Sequence, residues 1–88
     1  MNDMDKHNHA THQFIELANK MKDDGFDVAL VNAALMAASG IYATYSVAGN
    51  AGALEPTGVD KVVAMYRKNL EFIQTRKKEE LQGGVGTA

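Results

Sequence analysis

The residues best suited to chemistry are three histidines near the start of the chain. His7, His9 and His12 form an H-x-H-x-x-H pattern, and imidazole is a common ligand for zinc, nickel and copper. No acid or cysteine completes an evident first shell around them. The pattern also lies in a polar terminal stretch without apolar periodicity, where no regular element would hold the rings together. The sequence therefore predicts no specific metal site and no cofactor.

The other residue types give little indication of catalysis, which requires a nucleophile, acid or base held in a pocket. Four carboxylates stand beside predicted helix ends, where they serve as caps or turn residues: Asp23, Asp24, Asp27 and Glu55. Gly49-x-x-Gly52 lacks the lysine and the preceding strand of a phosphate-binding loop. The tyrosines recur at helical core spacing, which is typical of buried rings with their hydroxyls at the rim. We predict no catalytic residues and a protein that is not an enzyme.

Length and composition favour one small globular domain. The chain has 88 residues, of which 45% are hydrophobic and 23% are charged, and a formal net charge of -2. That charge gives no overall attraction to nucleic acid or anionic lipid. The absence of cysteine fits a reducing compartment, and the opening Met1–Asp5 stretch is acidic where a secretory signal carries basic residues. We expect a cytoplasmic location.

Three blocks of helical periodicity predict the fold. Apolar residues recur at intervals of three and four in each block, and no sustained alternation indicates a strand. The expected fold is all-α, a bundle-like arrangement of three helices in which two amphipathic helices pack a central apolar one. The expected organisation is a disordered N-terminal segment over 1–10, a three-helix domain over 11–82 and a flexible tail over 83–88.

Turn and capping residues predict where these helices begin and end. Helix one is expected over 11–24, with Gly25 as its left-handed C-terminal cap. Asp27 is placed to cap helix two, which ends at the glycine-rich stretch from Gly49. Thr57, with an acid three residues later, resembles a capping box that opens helix three.

The central helix lies in the longest uncharged stretch of the chain. Residues 28–54 carry no charge, and this run exceeds the roughly 20 residues that span a bilayer. Much of it is alanine, glycine and small polar residues, whereas membrane insertion relies on leucine, isoleucine, phenylalanine and valine. A buried helix of a soluble protein is the preferred interpretation, and a single-pass or peripheral membrane miniprotein is an alternative.

Small residues form one ridge of the central helix. A ridge without bulk lets two helix backbones approach closely along their length. We predict that two copies of this helix form a self-complementary antiparallel seam, because a domain this small has a marginal core and gains stability by oligomerising. Coverage by helix one or three of the same chain is the alternative. The predicted interface residues are Ala29, Ala33, Ala37, Gly40, Thr44 and Ala48.

Helix three concentrates the positive charge of the chain. Glutamates lie three or four residues from most of its basic side chains, so the face is expected to compensate its own charge in solvent. A nucleic-acid-binding accessory role is a further alternative, and an acidic protein partner is a somewhat stronger one. The basic residues are Lys61, Arg67, Lys68, Arg76, Lys77 and Lys78.

Three short motifs resemble a family of small bacterial proteins known as domain of unknown function number 3144. They are Phe-Ile-Glu-Leu-Ala-Asn over 14–19, Asn-Ala-Ala-Leu-Met-Ala-Ala over 32–38 and Tyr-Arg-Lys-Asn-Leu-Glu over 66–71. The resemblance covers roughly residues 12 to 73 and departs at Ser39-Gly40 and in the loop before Pro56. It implies a small helical bacterial protein without a known activity. Together with the residues, it favours a non-enzymatic interaction or structural module that forms a homodimer through its central helix.

Overall fold

The chain folds into three α-helices, and the computed structural model describes residues 2–87, with side chains over 2–82. The helices are α1 (Asp3–Asp23), α2 (Val28–Ala48) and α3 (Pro56–Thr87). No strand occurs in the described residues, so the all-α, three-helix prediction is confirmed. The chain forms two compact units, Met1–Tyr42 and Ala43–Ala88, with the boundary inside α2.

Helix α1 begins eight residues earlier than the sequence pattern predicts. Asn2 is its N-cap, and the Asn2 side-chain oxygen accepts a hydrogen bond of 2.8 Å from the Asp5 amide. Asp3 and Asp5 also place negative charge in the first turn, where the helix dipole favours it. Residues 3–10, predicted as part of a disordered segment, are therefore helical. The apolar periodicity did not predict these residues as helical, because a capped polar turn can form without an apolar face.

The turn after α1 confirms Gly25 as its left-handed cap. Gly25 has φ of +106°, and its amide donates to the carbonyl of Lys22 at 3.0 Å. The amide of Phe26 donates to the carbonyl of Met21, also at 3.0 Å. These two bonds form a Schellman motif, which satisfies carbonyls that the last helical turn leaves open. The chain can then reverse and begin α2 directly after Asp27.

Helix α2 ends with a second glycine in the left-handed region. Gly49 has φ of +76°, and its amide donates to the carbonyl of Tyr45 at 2.9 Å, the bond of an αL cap. The amide of Gly52 then donates to the carbonyl of Gly49 at 3.4 Å and closes a turn. The glycine-rich stretch thus ends the helix where the sequence predicted.

Helix α3 begins at Pro56, so the predicted cap at Thr57 is wrong. The carbonyl of Glu55 accepts from the amide of Val59 at 3.0 Å, which makes Glu55 the flanking residue and Pro56 the first helical one. Proline suits that position because it lacks an amide hydrogen that would otherwise be unsatisfied. The helix continues to Thr87, beyond the predicted end near Gln82. The flexible tail predicted over 83–88 lies outside the residues whose side chains are described.

Both units bury few side chains. In the first unit Val31 is buried, with 7% of its surface exposed, and Ala18 and Met21 are half-buried. Phe14, on the predicted core face of α1, remains 64% exposed. In the second unit no described residue is buried; the half-buried ones are Ala43, Thr44, Ala48, Leu54, Gly58 and Val62. The described side chains therefore form a very small core.

Candidate interaction surface

The small-residue ridge runs along the whole of α2. Its six members span about 28 Å of helix axis and about 100° of arc, as calculated from a rise of 1.5 Å and a rotation of 100° per residue. Ala29, Ala33, Ala37 and Gly40 are exposed, whereas Thr44 and Ala48 are half-buried. A Cβ added to Gly40 would meet no atom within 4 Å. The ridge is therefore open along most of its length.

The spacing of the ridge is the same in both chain directions. Its members follow one another at intervals of four, four, three, four and four residues. If two copies cross antiparallel about a point between Ala38 and Ser39, Ala37 lies opposite Gly40 of the second copy. Every other member likewise falls opposite another small residue. Leu30 and Val47, at the two edges of the same arc, fall opposite each other.

Large apolar side chains beside the ridge are also exposed. Leu30 is 57% exposed and Ile41 is 73% exposed. Tyr42, predicted to have a buried ring, lies on the opposite side of α2 from the ridge and is 71% exposed. In a folded chain without a partner, such contiguous apolar surface is typical of a protein or membrane interaction site. The exposed surface of α2 is thus both apolar and continuous along the helix.

A polar strip follows another side of α2. Asn32, Ser39 and Ser46 are exposed on it, and the Ser46 hydroxyl donates to the carbonyl of Ala43 at 2.9 Å. Asn32 also lines a groove of about 170 Å³ between α1 and α2, whose other lining residues are Ala18, Asn19, Lys22, Val28, Val31 and Leu35. The groove has room for about one large side chain and is shallow.

The charged residues of α3 partly compensate one another, as the sequence predicts. Arg67 lies 4.0 Å from Glu71, and Lys77 lies 3.8 Å from Glu80. The guanidinium of Arg76 lies 5.8 Å from the centre of the Phe72 ring, within cation–π range. Exposed pairs of this kind contribute little to stability. They do reduce the positive charge that the helix presents to a polyanion.

The three histidines lie on α1, whereas the helix predicted over 11–24 contains only His12. Within residues 2–82, no three histidine, aspartate or glutamate side chains surround a common point as metal ligands would. His12 Nε2 lies 4.0 Å from Glu16 Oε1, one helical turn away. This acid lies within the helix predicted over 11–24, and the i, i+4 spacing of His12 and Glu16 is the signal that could have found it. The Asn-x-x-Asp cap at Asn2 and Asp5 is the signal that could have placed His7 and His9 on the same helix.

Helix α2 also has the length and composition of a membrane span. It contains 21 residues, and 6% of its most apolar 18-residue window is buried. A soluble core helix passes the same test of length and composition, but such a helix is mostly buried. One helix of this kind is weak evidence for a membrane protein.

Comparison with known proteins adds no relative. No family model, curated protein or solved structure matches the chain. The resemblance to domain of unknown function number 3144 therefore stays a prediction.

Proposed function

We propose that this protein is a non-enzymatic helical interaction module that forms a homodimer through α2. The observation that carries the proposal is the open, uncharged surface of α2, with Ala29, Ala33, Ala37 and Gly40 all exposed. The proposal keeps the bacterial, cytoplasmic setting inferred from the sequence. An acidic protein is the class of further partner that we expect for the remaining surface.

The small core supports a second copy as the occupant of this surface. Val31 is the one buried hydrophobic residue among those described, whereas a small domain normally needs a substantial apolar core or an oligomer interface to be stable. Burying a side chain such as Leu30 or Ile41 stabilises by about 1.5–3 kcal/mol. Pairing two α2 helices would bury several of these side chains at once.

The form of the ridge supports an antiparallel pairing. Small residues allow close backbone approach, and the symmetric spacing brings small residues opposite one another across a two-fold axis. Bulky side chains such as Leu30 and Ile41 then flank the contact and can cover its edges. The same register would not be available to a partner whose helix carried bulk at these positions.

The test is the effect of added bulk on the ridge. Ala37→Leu inserts a large side chain where the backbones meet, and overpacking of this kind costs about 1–3 kcal/mol. The dimer dissociation constant, measured by sedimentation equilibrium, should therefore rise by about tenfold or more, since each 1.4 kcal/mol is a factor of ten.

Ala38→Leu is the matched control. Ala38 is also exposed, but it lies about 130° around the helix from the centre of the ridge. Its substitution should change the dissociation constant by less than threefold. An equal effect of the two substitutions, or no effect of Ala37→Leu, would remove the ridge from the interface.

Membrane association is the second candidate, favoured by the exposure of a 21-residue apolar helix. At 1.5 Å per residue, α2 is about 31 Å long, close to the hydrocarbon thickness of a bilayer. This alternative predicts that the purified protein floats with phosphatidylcholine vesicles in a density gradient. Recovery of the protein in the vesicle-free fraction, at high concentration without detergent, would exclude it.

A further inference from the structure

Helix α3 carries a narrow apolar seam that remains exposed. Its members follow one another at intervals of four, three, four and three residues, which is the heptad spacing of a helix that packs against another helix. At 100° and 1.5 Å per residue they occupy roughly 80° of arc and about 21 Å of helix axis. Between 39% and 59% of the surface of each residue is exposed, and the seam residues are Val59, Val63, Tyr66, Leu70 and Ile73.

A groove of about 330 Å³ along this seam has the form that a facing helix requires. Where helices interlock, a side chain of one enters a hole bounded by residues i, i+3, i+4 and i+7 of the other. The residues that line the groove contain this set twice, once from Val63 and once from Arg67. The groove thus offers two successive holes on one helix, and its lining residues are Val63, Tyr66, Arg67, Leu70, Glu71 and Gln74.

The charges around the seam favour an acidic occupant. Arg67 and Arg76 border it on opposite sides, and Lys77 continues its spacing one step beyond Ile73. Among residues 59–77 the acid nearest to its centre is Asp60, about 100° away. A second copy of α3 would carry the same excess of positive charge. A helix with carboxylates beside its apolar residues is therefore the better complement.

The basic side chains beside the seam can exchange their present partners for those of another helix. Arg67 lies 4.0 Å from Glu71 and Lys77 lies 3.8 Å from Glu80, and these four side chains are between 61% and 75% exposed. Exposed pairs of this kind are weak, and their side chains change rotamer rapidly. The carboxylates of a docked helix would compete for the basic groups without breaking tertiary packing.

We propose that the α3 seam binds an amphipathic helix of a second protein, with apolar residues at heptad spacing and glutamate or aspartate beside them. This inference rests on the proposed function, because it assigns the acidic partner of the module to one surface. Apolar side chains of the partner enter the two holes beside Tyr66, and its carboxylates meet Arg67 and Arg76. The homodimer uses α2, so the two contacts lie on different helices.

Fluorescence anisotropy with a labelled synthetic peptide tests the site. The probe is a three-heptad helix with leucine at positions a and d and glutamate at e and g, whose like charges oppose its own pairing. It should bind the full chain saturably. A peptide with lysine in place of glutamate should bind more weakly by about tenfold or more.

Reversal of the bordering charges tests the role of the arginines. Arg67→Glu together with Arg76→Glu should weaken binding of the glutamate peptide by about tenfold or more and strengthen binding of the lysine peptide. Lys61→Glu together with Lys68→Glu is the matched control, because it makes the same change of charge on the opposite side of α3. It should leave the affinity within about threefold, since solvent and salt screen exposed charges at that distance.

Truncation of an apolar side chain tests the holes. Leu70→Ala removes a wall of both and should weaken binding of the glutamate peptide by about tenfold. Met65→Ala is the matched control, because Met65 is 71% exposed and lies about 120° from the centre of the seam. Circular dichroism of each variant verifies that the helices still form.

The proposal is overturned if the glutamate peptide does not bind saturably, or if the two double substitutions weaken its binding equally. It is also overturned if α3 binds phosphatidylglycerol vesicles through Arg67 and Arg76 and binds no peptide. Ala37→Leu separates this site from the homodimer, because it should weaken pairing through α2 and leave the peptide affinity unchanged. A dimer that binds no peptide refutes the seam alone, and a monomer that binds it refutes the homodimer alone.

Discussion

Gly52 occupies a position where a side chain has no room. A Cβ built there would lie 2.7 Å from the Cβ of Ala48 and still closer to the carbonyl oxygen of Ala48. That oxygen belongs to the backbone, so the clash is relieved only if the turn moves. The turn joins the end of α2 to the residues that precede α3.

We therefore predict that Gly52→Ala lowers the free energy of unfolding by about 1–3 kcal/mol, the usual range for overpacking. Urea denaturation followed by circular dichroism measures it. Gly58→Ala is the matched control, because its new Cβ would lie at ordinary contact distance from the Leu54 side chain, 3.4 Å from Cδ2 and 3.6 Å from Cβ. Gly58 lies in α3, where alanine is the better helix former, so this variant should be equally or more stable. Equal stability of Gly52→Ala and the original protein would contradict the account of the turn.

Individual residues differed in how well they could be predicted. Gly25 and Gly49 were predictable because glycine is the residue that adopts a left-handed cap without strain. Asn2 was missed because its capping role is visible only when a polar helix is already expected after it. Thr57 was preferred to Glu55 and Pro56 because its capping pattern is a stronger sequence signal than proline at the first helical position.

At the scale of whole elements, the apolar periodicity predicted three helices. It did not predict what packs against the apolar face of each helix. The intervals of three and four in α1, α2 and α3 identify apolar faces, but they do not say what packs against each face. Phe14 illustrates this, because it stands at a core position of the α1 pattern and remains exposed. The small-residue ridge of α2 was predictable as a surface for close approach, whereas its partner was not.

Cysteine cross-linking tests the direction in which two α2 helices pair. The chain contains no cysteine, so single variants give an unambiguous product. In the antiparallel register Ala29 of one copy faces Ala48 of the other, and a mixture of Ala29→Cys and Ala48→Cys proteins should form a mixed disulfide. Disulfides require Cα atoms within about 7 Å, and this pairing can meet that limit.

Each variant alone is the control for that experiment. Two copies of Ala29→Cys should not cross-link, because their cysteines lie about 28 Å apart along an antiparallel seam. A disulfide between two copies of the Ala29→Cys variant, with no disulfide between the two different variants, would indicate a parallel pairing. That result would contradict the antiparallel register. The products are separated by non-reducing electrophoresis after mild oxidation.

At the scale of the molecule, stability and association should be linked. A chain of 88 residues with so few buried side chains in its described part has little apolar burial to offset its conformational entropy. A dimer interface would add that burial, and the melting temperature would then rise with protein concentration. Function would follow from the surfaces that the dimer leaves open, including the basic side of α3.

The molar mass in solution tests the central claim most directly. Light scattering on a size-exclusion column, across a range of concentrations in buffer without detergent, should give twice the chain mass of 9.5 kDa. A mass of 9.5 kDa at every concentration would contradict the account, because the surface of α2 would then have no second copy to cover it.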